Sequence, residues 1–237
     1  MTYNITEHDA QTVNFREICM GRIAPKMLYR SSSPLKGGDL KEIKKELAVK
    51  AGINCVINLD DHSSVLDGLS EDVPWYRKLV MEKNVIALPM TFNIPGVEFK
   101  EKKLKSALQF MITHEGPYLI HCFAGVDRTG FVSIVLEALL EANLKEIADD
   151  YLKSFESIFD SSIYYGTKRE KSQVVIKLLS EMGGSNKIND RNLNSIAENY
   201  LMNNIKLSVE EVDLLKRKLM GDSIRCYSNS NNTNSAE

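Results

Sequence analysis

Residues 117–140 predict a strand, a short loop and a helix in direct succession. The run Pro117-Tyr118-Leu119-Ile120 is apolar and follows a glycine, which is typical of a buried strand. The almost wholly apolar run from Phe131 to Leu140 predicts a mostly buried helix. The segment between them, HCFAGVDRTG at 121–130, therefore ends at a helix N-terminus. Unpaired backbone N–H groups and the helix dipole attract an anion at such a position.

The side chains of this loop match the chemistry of a bound phosphate. The field of the helix N-terminus stabilises a thiolate at Cys122, and thiolates are strong nucleophiles. Arg128 follows in the same loop, and its planar guanidinium can hold two oxygens of a phosphate. Thr129 can donate a hydroxyl hydrogen bond to the sulfur. Gly125 permits a backbone conformation that turns the loop amides inward. The combination predicts cleavage of a phosphate ester through a cysteinyl-phosphate.

The same residues resemble the signature HC-x5-R-[ST] of the cysteine-dependent protein tyrosine phosphatase superfamily. The resemblance implies that Cys122 is the nucleophile, that Arg128 binds the phosphate, and that no cofactor or metal takes part. It implies that the phosphate lies in a cradle formed by Phe123, Ala124, Gly125, Val126, Asp127 and Arg128. The residues expected to support that cradle are His121, Thr129 and Gly130.

A general acid must also protonate the leaving oxygen. Many relatives take it from a loop about thirty residues before the cysteine, but here that loop has Asn93 and no acid before Glu98. Asp127 lies inside the signature, and a neighbouring phosphate dianion favours its protonated form. We therefore expect Asp127 to be the acid, as in a bacterial branch that carries this Asp. Asp60 and Asp61, at the end of a predicted strand, are the alternatives.

The N-terminal part resembles the same bacterial and fungal branch, whose opening segment reads NFRD…lyRS. The matching residues are Asn14, Phe15, Arg16, Tyr29, Arg30 and Ser31. Arg30 is expected either to reach the phosphate or to brace the pocket. Members of this branch that act on phosphoinositides usually have Lys where this chain has Val126.

Composition and net charge limit the kinds of partner that the protein is expected to bind. With 237 residues, 43% of them hydrophobic and 26% charged, the chain has the balance of an ordinary globular protein. A net charge of -2 gives no reason to expect nucleic acid. No secretory signal is visible in residues 1–14 and no apolar run reaches membrane-spanning length, so a cytoplasmic location is expected, although specialised export would leave no trace. The oligomeric state is left open.

The cysteines show no metal-ligand or disulfide spacing, which predicts reduced thiols. Cys19 and Cys55 are expected to be small core residues, and Cys226 lies in the tail. A resolving role for Cys55 is the alternative.

The predicted fold is an α/β domain with a mostly parallel central sheet of four to five strands flanked by helices. The domain is expected to span 1–222, with the catalytic loop at 121–130, C-terminal helices at about 168–220 and a Ser/Asn-rich disordered tail at 223–237. Asp39 is the expected cap of a helix beginning at Leu40, and Ser208 opens a capping box with Glu211.

The substrate is expected to be a phosphorylated protein, with phosphotyrosine favoured and dual specificity left open. A phosphoinositide or inositol phosphate is the alternative, and it requires that Lys102 and Lys103, or Lys168 and Arg169, face the pocket. A phosphate-binding module without catalysis is the second alternative, but such a module has no need of Cys122.

Overall fold

The computed structural model describes residues 5–91, 98–156, 167–184 and 187–222. Its centre is a five-stranded sheet in the order β1-β2-β5-β3-β4. The strands are β1 (Arg16–Ile18), β2 (Leu28–Ser32), β3 (Cys55–Asn58), β4 (Val85–Ala87) and β5 (Tyr118–Cys122). All neighbours pair in parallel except β1, which runs antiparallel to β2 at one edge. The predicted α/β class and mostly parallel sheet are confirmed.

Helices pack against the sheet, and the chain after the last strand, β5, is helical in the described residues. They are α1 (Glu7–Thr12), α2 (Leu40–Lys50), α3 (Leu66–Leu69), α4 (Pro74–Met81), α5 (Glu98–Thr113), α6 (Asp127–Leu139), α7 (Leu144–Lys153), α8 (Lys168–Gly183), α9 (Leu193–Asn203) and α10 (Val209–Leu219), with a 3-10 turn at Ser63–Val65. None of the helices in the described ranges combines the length and the apolar character needed to cross a bilayer.

The two faces of the sheet bury different sets of side chains, because successive residues of a strand point to opposite faces. On β3 and β5, Ile57 and Ile120 join the larger core, which contains the buried face of α6 and residues of α5, α9 and α10. Val56 and Leu119 join the smaller core with Tyr76 of α4. The central strands are thus buried on both faces, which fixes the position of the loop that follows β5.

Some of the helix ends predicted from the sequence are correct and others are not. The capping box of α10 is confirmed, since Ser208 Oγ accepts a hydrogen bond from Glu211 N at 3.2 Å. Asp39, in contrast, makes no side-chain cap, because its own backbone is already helical with φ near -59°. Helix α6 begins at Asp127, four residues before the predicted start at Phe131. The predicted loop residue Asn93 and the tail from 223 onward lie outside the described residues.

Candidate active site

The signature loop joins β5 to α6 at the carboxyl end of the parallel strands. Cys122 is the last residue of β5 and lies opposite Ser32 of β2 in the register. It is 2% exposed, whereas the next residue, Phe123, is 62% exposed. Asp127 is exposed and is the first residue of α6. A strand that ends at the cysteine, a short loop and a helix therefore follow one another as the sequence predicted.

Gly125 is the point at which the loop touches the rest of the sheet. Its φ of +74° lies in the left-handed region, and a Cβ there would meet Ser31 O at 2.4 Å. The loop can therefore pack against the end of β2 only if this position has no side chain.

Arg128 is oriented by the loop that follows β3. Its Nη1 donates hydrogen bonds to Leu59 O at 3.0 Å and to Asp60 Oδ1 at 2.8 Å. Burial opposes ionisation of Asp60, but the hydrogen bond from Lys36 and the charge of Arg128 outweigh it and hold the pKa below its usual value. Lys36 also pairs with Asp61, 2.8 Å away. Both carboxylates that the sequence suggested as alternative acids are thus committed to ion pairs.

A buried chain of hydrogen bonds connects Asp61 to the start of the signature. Asn58 Nδ2 donates to Asp61 Oδ2 at 3.2 Å and to the Tyr76 hydroxyl at 3.1 Å. The Tyr76 hydroxyl is in turn 3.0 Å from His121 Nε2. Burial lowers the pKa of His121 to about 3, against the opposing charges of Asp61 and Asp60. His121 is therefore a neutral, supporting residue and cannot act as a proton carrier near neutral pH.

The two residues after Arg128 lie in the first turn of α6 and are buried. A Cβ at Gly130 would meet the Tyr151 ring at 2.7 Å, so this position also lacks room for a side chain. Gly130 N donates to Val126 O at 2.7 Å and thereby closes the first turn of the helix. The predicted bond from Thr129 to the sulfur is not formed, since the buried Thr129 hydroxyl has no hydrogen-bond partner in the described structure.

Arg30 braces the pocket and does not reach into it. The residue is fully buried, and its Nη1 donates to Asp150 Oδ2 at 2.5 Å. Arg16 Nε donates to the other carboxylate oxygen of Asp150 at 2.7 Å. Asp150, on α7, was not singled out from the sequence as a site residue. The match of Arg16 and Arg30 to one phosphatase branch was the available signal, because a buried arginine such as Arg30 requires a buried acid.

The other thiols do not belong to this site. Cys55 is buried as expected, and it lies opposite Tyr118, four positions before Cys122 on β5. That places it about 13 Å away along the strand, beyond disulfide reach. The prediction that Cys19 is a core residue is wrong: it follows the edge strand β1 and is exposed. Cys226 lies outside the described residues.

In the described ranges, no group of three or more His, Cys, Asp or Glu side chains is arranged to hold a metal ion. The chemistry of the loop rests on a thiol, a guanidinium and backbone amides, and these residues suit an oxyanion.

The sequence matches the model of the tyrosine phosphatase family over residues 10–221. The chain belongs to the tyrosine phosphatase family. The matched region contains the catalytic loop, Arg30 and Asp150, and the protein is a phosphoric monoester hydrolase of the tyrosine phosphatase type.

Two solved structures are similar to this chain, and both carry the name Siw14. The Siw14 catalytic core aligns with a TM-score of 0.44 at 18% identity, covering 80% of this chain and 94% of that one. The core catalytic domain of the PP-IP phosphatase SIW14 from S. cerevisiae, in complex with citrate, aligns with the same TM-score and identity over 79% and 94%. No curated protein matches the chain.

Proposed function

We propose that the protein is a cysteine-dependent protein tyrosine phosphatase that uses a cysteinyl-phosphate intermediate. The Cys122 thiolate attacks phosphorus while the bond to the leaving oxygen breaks. Asp127 donates a proton to that oxygen, and Arg128 with the loop amides holds the transferred group. Water then attacks phosphorus and gives a proton to Asp127, the S–P bond breaks, and inorganic phosphate leaves with the thiolate restored.

Asp127 is the preferred acid because of its place in the signature, and both rival carboxylates are held by neighbouring groups. Asp60 is held ionised by Lys36 and Arg128, and Asp61 is 7% exposed and bonded to Lys36 and Asn58. A carboxylate that serves as a fixed counter-ion is a poor proton donor. Asp127 is exposed at the first turn of α6, one residue before Arg128, and this position supports its assignment as the proton donor to the leaving oxygen.

The charge balance around the loop is the observation that carries the choice of substrate. Lys36 Nζ lies 5.6 Å from the centre of the exposed Phe123 ring, so this lysine is a cation beside the mouth. It is already neutralised by Asp60 and Asp61. The internal segments outside the described residues, 92–97, 157–166 and 185–186, contain no lysine or arginine that could add charge.

A site with this balance suits a single phosphate on a neutral aromatic ring better than a polyphosphorylated inositol. Phosphoinositide recognition needs further cations, and Val126 supplies none within the loop. Lys168, one of the lysines required by that alternative, has its Nζ 3.8 Å from Glu156 Oε1. The exposed Phe123 ring offers an apolar face to a phenyl group.

Hydrolysis of matched substrates tests the proposal. Wild type, Cys122→Ser and a control, Cys55→Ser, are assayed on a phosphotyrosine peptide, a phosphoserine peptide and a phosphoinositide panel, with chelator present. We expect phosphotyrosine to be preferred, Cys122→Ser to be inactive and Cys55→Ser to retain activity. A preference for phosphoinositides supports the alternative substrate, and a wild type inert on every substrate while it binds phosphate supports the non-catalytic module.

A further inference from the structure

In the catalytic loop, the carbonyl groups of residues 123–126 are all engaged by donors, most of which come from the N-terminal segment. Ser33 N donates to Phe123 O at 3.0 Å. Asn14 Nδ2 donates to both Ala124 O and Gly125 O at 3.1 Å. Arg30 Nη2 donates to Gly125 O at 2.8 Å and to Val126 O at 3.4 Å. The donors in residues 14–33 thus reach every carbonyl from 123 to 126.

This pattern sets the direction of the loop amides. In a planar trans peptide, the C=O of one residue and the N–H of the next point in opposite directions. Carbonyls held by donors on the outside of the loop therefore turn the N–H groups of residues 124–127 toward its centre. Several convergent N–H groups make an anion site, and their value depends on their being oriented before the anion arrives.

The two side-chain donors are themselves fixed. Arg30 is fully buried, with Nη1 on Asp150. Burial opposes ionisation of Asp150, but the charges of Arg30 and Arg16 outweigh it and lower its pKa to about 2. Asn14 is 3% exposed, and its Oδ1 accepts a hydrogen bond from Arg16 Nη1, which leaves Nδ2 directed at the loop.

Asn14 has an unfavourable backbone conformation. Its φ is +54°, a left-handed conformation that few residues other than glycine adopt. Asparagine tolerates this region better than most. A glycine would relieve the backbone but would supply no donor to the loop.

We propose that Asn14 and Arg30 are positioning residues that orient the amides of the catalytic loop for oxyanion binding, and that Asp150 fixes Arg30 for this task. The inference rests on the proposed function only in that the loop binds a phosphoryl group. Neither residue touches the substrate, and both act through the loop carbonyls.

Asn14→Gly is the sharpest test, because it removes the donor and leaves the left-handed backbone unstrained. Asn54→Gly is the matched control, since Asn54 Nδ2 donates to Glu115 O at 2.8 Å, next to the amino ends of β3 and β5. We expect affinity for inorganic phosphate, measured by calorimetry, to fall at least about tenfold in Asn14→Gly. Alkylation of Cys122 by iodoacetamide should also slow, because the inward amides stabilise the thiolate. Asn54→Gly should match wild type in both measurements.

A second variant covers the case in which Asn14→Gly fails to fold. Asn14→Asp keeps the size and the acceptor for Arg16 but replaces the donor with an oxygen facing two carbonyls. It should show the same loss of phosphate affinity while its thermal unfolding stays cooperative. A folded Asn14 variant that binds phosphate as tightly as wild type overturns the positioning role.

The outcomes separate this inference from the proposed function. Phosphate binding needs no turnover, so a wild type that binds phosphate and hydrolyses no phosphotyrosine overturns the proposed substrate alone, and the Asn14 comparison still decides the positioning role. A wild type that binds no phosphate overturns both.

Discussion

Arg128 and Asp60 form an ion pair of 2.8 Å that links the first turn of α6 to the loop after β3. The pair uses only Nη1 of the guanidinium, which also donates to Leu59 O. Within the described residues, Nη1 makes both of these bonds, and we expect the remaining N–H groups of the fork to hold phosphate oxygens. Asp60 thus orients the guanidinium that we propose binds the phosphate.

Asp60→Asn should lower kcat/KM about tenfold, which corresponds to about 1.4 kcal/mol, because a charge-assisted hydrogen bond becomes a neutral one. Steady-state kinetics on a phosphotyrosine peptide measures this change. Asp61→Asn is the matched control, since it removes a neighbouring carboxylate that pairs with Lys36 but leaves Arg128 in place. Equal losses in the two variants would show that the Arg128 pair has no special role.

Asp127→Asn should lower kcat roughly 100-fold or more for substrates with poor leaving groups, because protonation of the departing oxygen is lost. For aryl phosphates with good leaving groups the effect should be much smaller, since their oxyanions depart without a proton. The measurement is the dependence of kcat on the leaving-group pKa in both proteins. Asp213→Asn, an exposed change on α10, serves as the control. An identical dependence in wild type and Asp127→Asn would assign the acid to another residue.

Gly125→Ala should abolish phosphate binding, because the new methyl group would lie 2.4 Å from Ser31 O in addition to straining a φ of +74°. Gly52→Ala isolates the strain, since Gly52 has a φ of +67° and nothing within 4 Å of the added Cβ. We expect Gly52→Ala to cost about 1–2 kcal/mol of stability and to leave activity intact. Denaturant unfolding and phosphate titration of both variants provide the comparison. Retained phosphate affinity in Gly125→Ala would mean that the loop can move away from β2.

Glu137→Gln should stabilise the protein at neutral pH. Burial, together with the charge of Asp150, raises the pKa of Glu137 well above its usual 4.5, against the opposing charges of Arg30 and Arg16. A pKa that is higher in the folded than in the unfolded protein contributes stability. This contribution is fully present at pH values below the unfolded-state pKa and is lost as the pH rises through the folded-state pKa. The free energy of unfolding should therefore fall in wild type above about pH 4.5, by at most about 1.4 kcal/mol per pH unit, and Glu137→Gln should remove this slope.

Urea unfolding across this pH range measures the effect, with the exposed Glu181→Gln as control. Asp150 affects stability in a different pH range, because its pKa is lowered on folding. Its contribution is present above pH 3.8, the usual pKa of the group, and is lost as the pH falls through the folded-state pKa of about 2. A wild-type stability that does not change between pH 4.5 and neutrality would contradict the raised pKa of Glu137.

Local patterns in the sequence predicted much of the fold. The strand and helix around the signature are short-range features, and both are present as β5 and α6. The Ser208 capping box also depends only on residues three apart, and it forms. The predictions for Asp39 and Cys19 were wrong for two different reasons. A residue type that favours helix caps does not determine the local backbone at Asp39, and an apolar residue type does not determine burial at the sheet edge, where Cys19 lies.

The sequence by itself determined that a thiol, a guanidinium and a glycine share one loop at a helix N-terminus, because these residues are contiguous and backbone geometry does the rest. Only the tertiary structure decided what orients them. Asn14 and Arg30 bond to loop carbonyls 95 to 111 positions away, and Asp60 pairs with Arg128 across 68 positions. Periodicity and propensity act over a few residues, whereas these contacts form because parallel strands bring distant chain segments to one edge of the sheet.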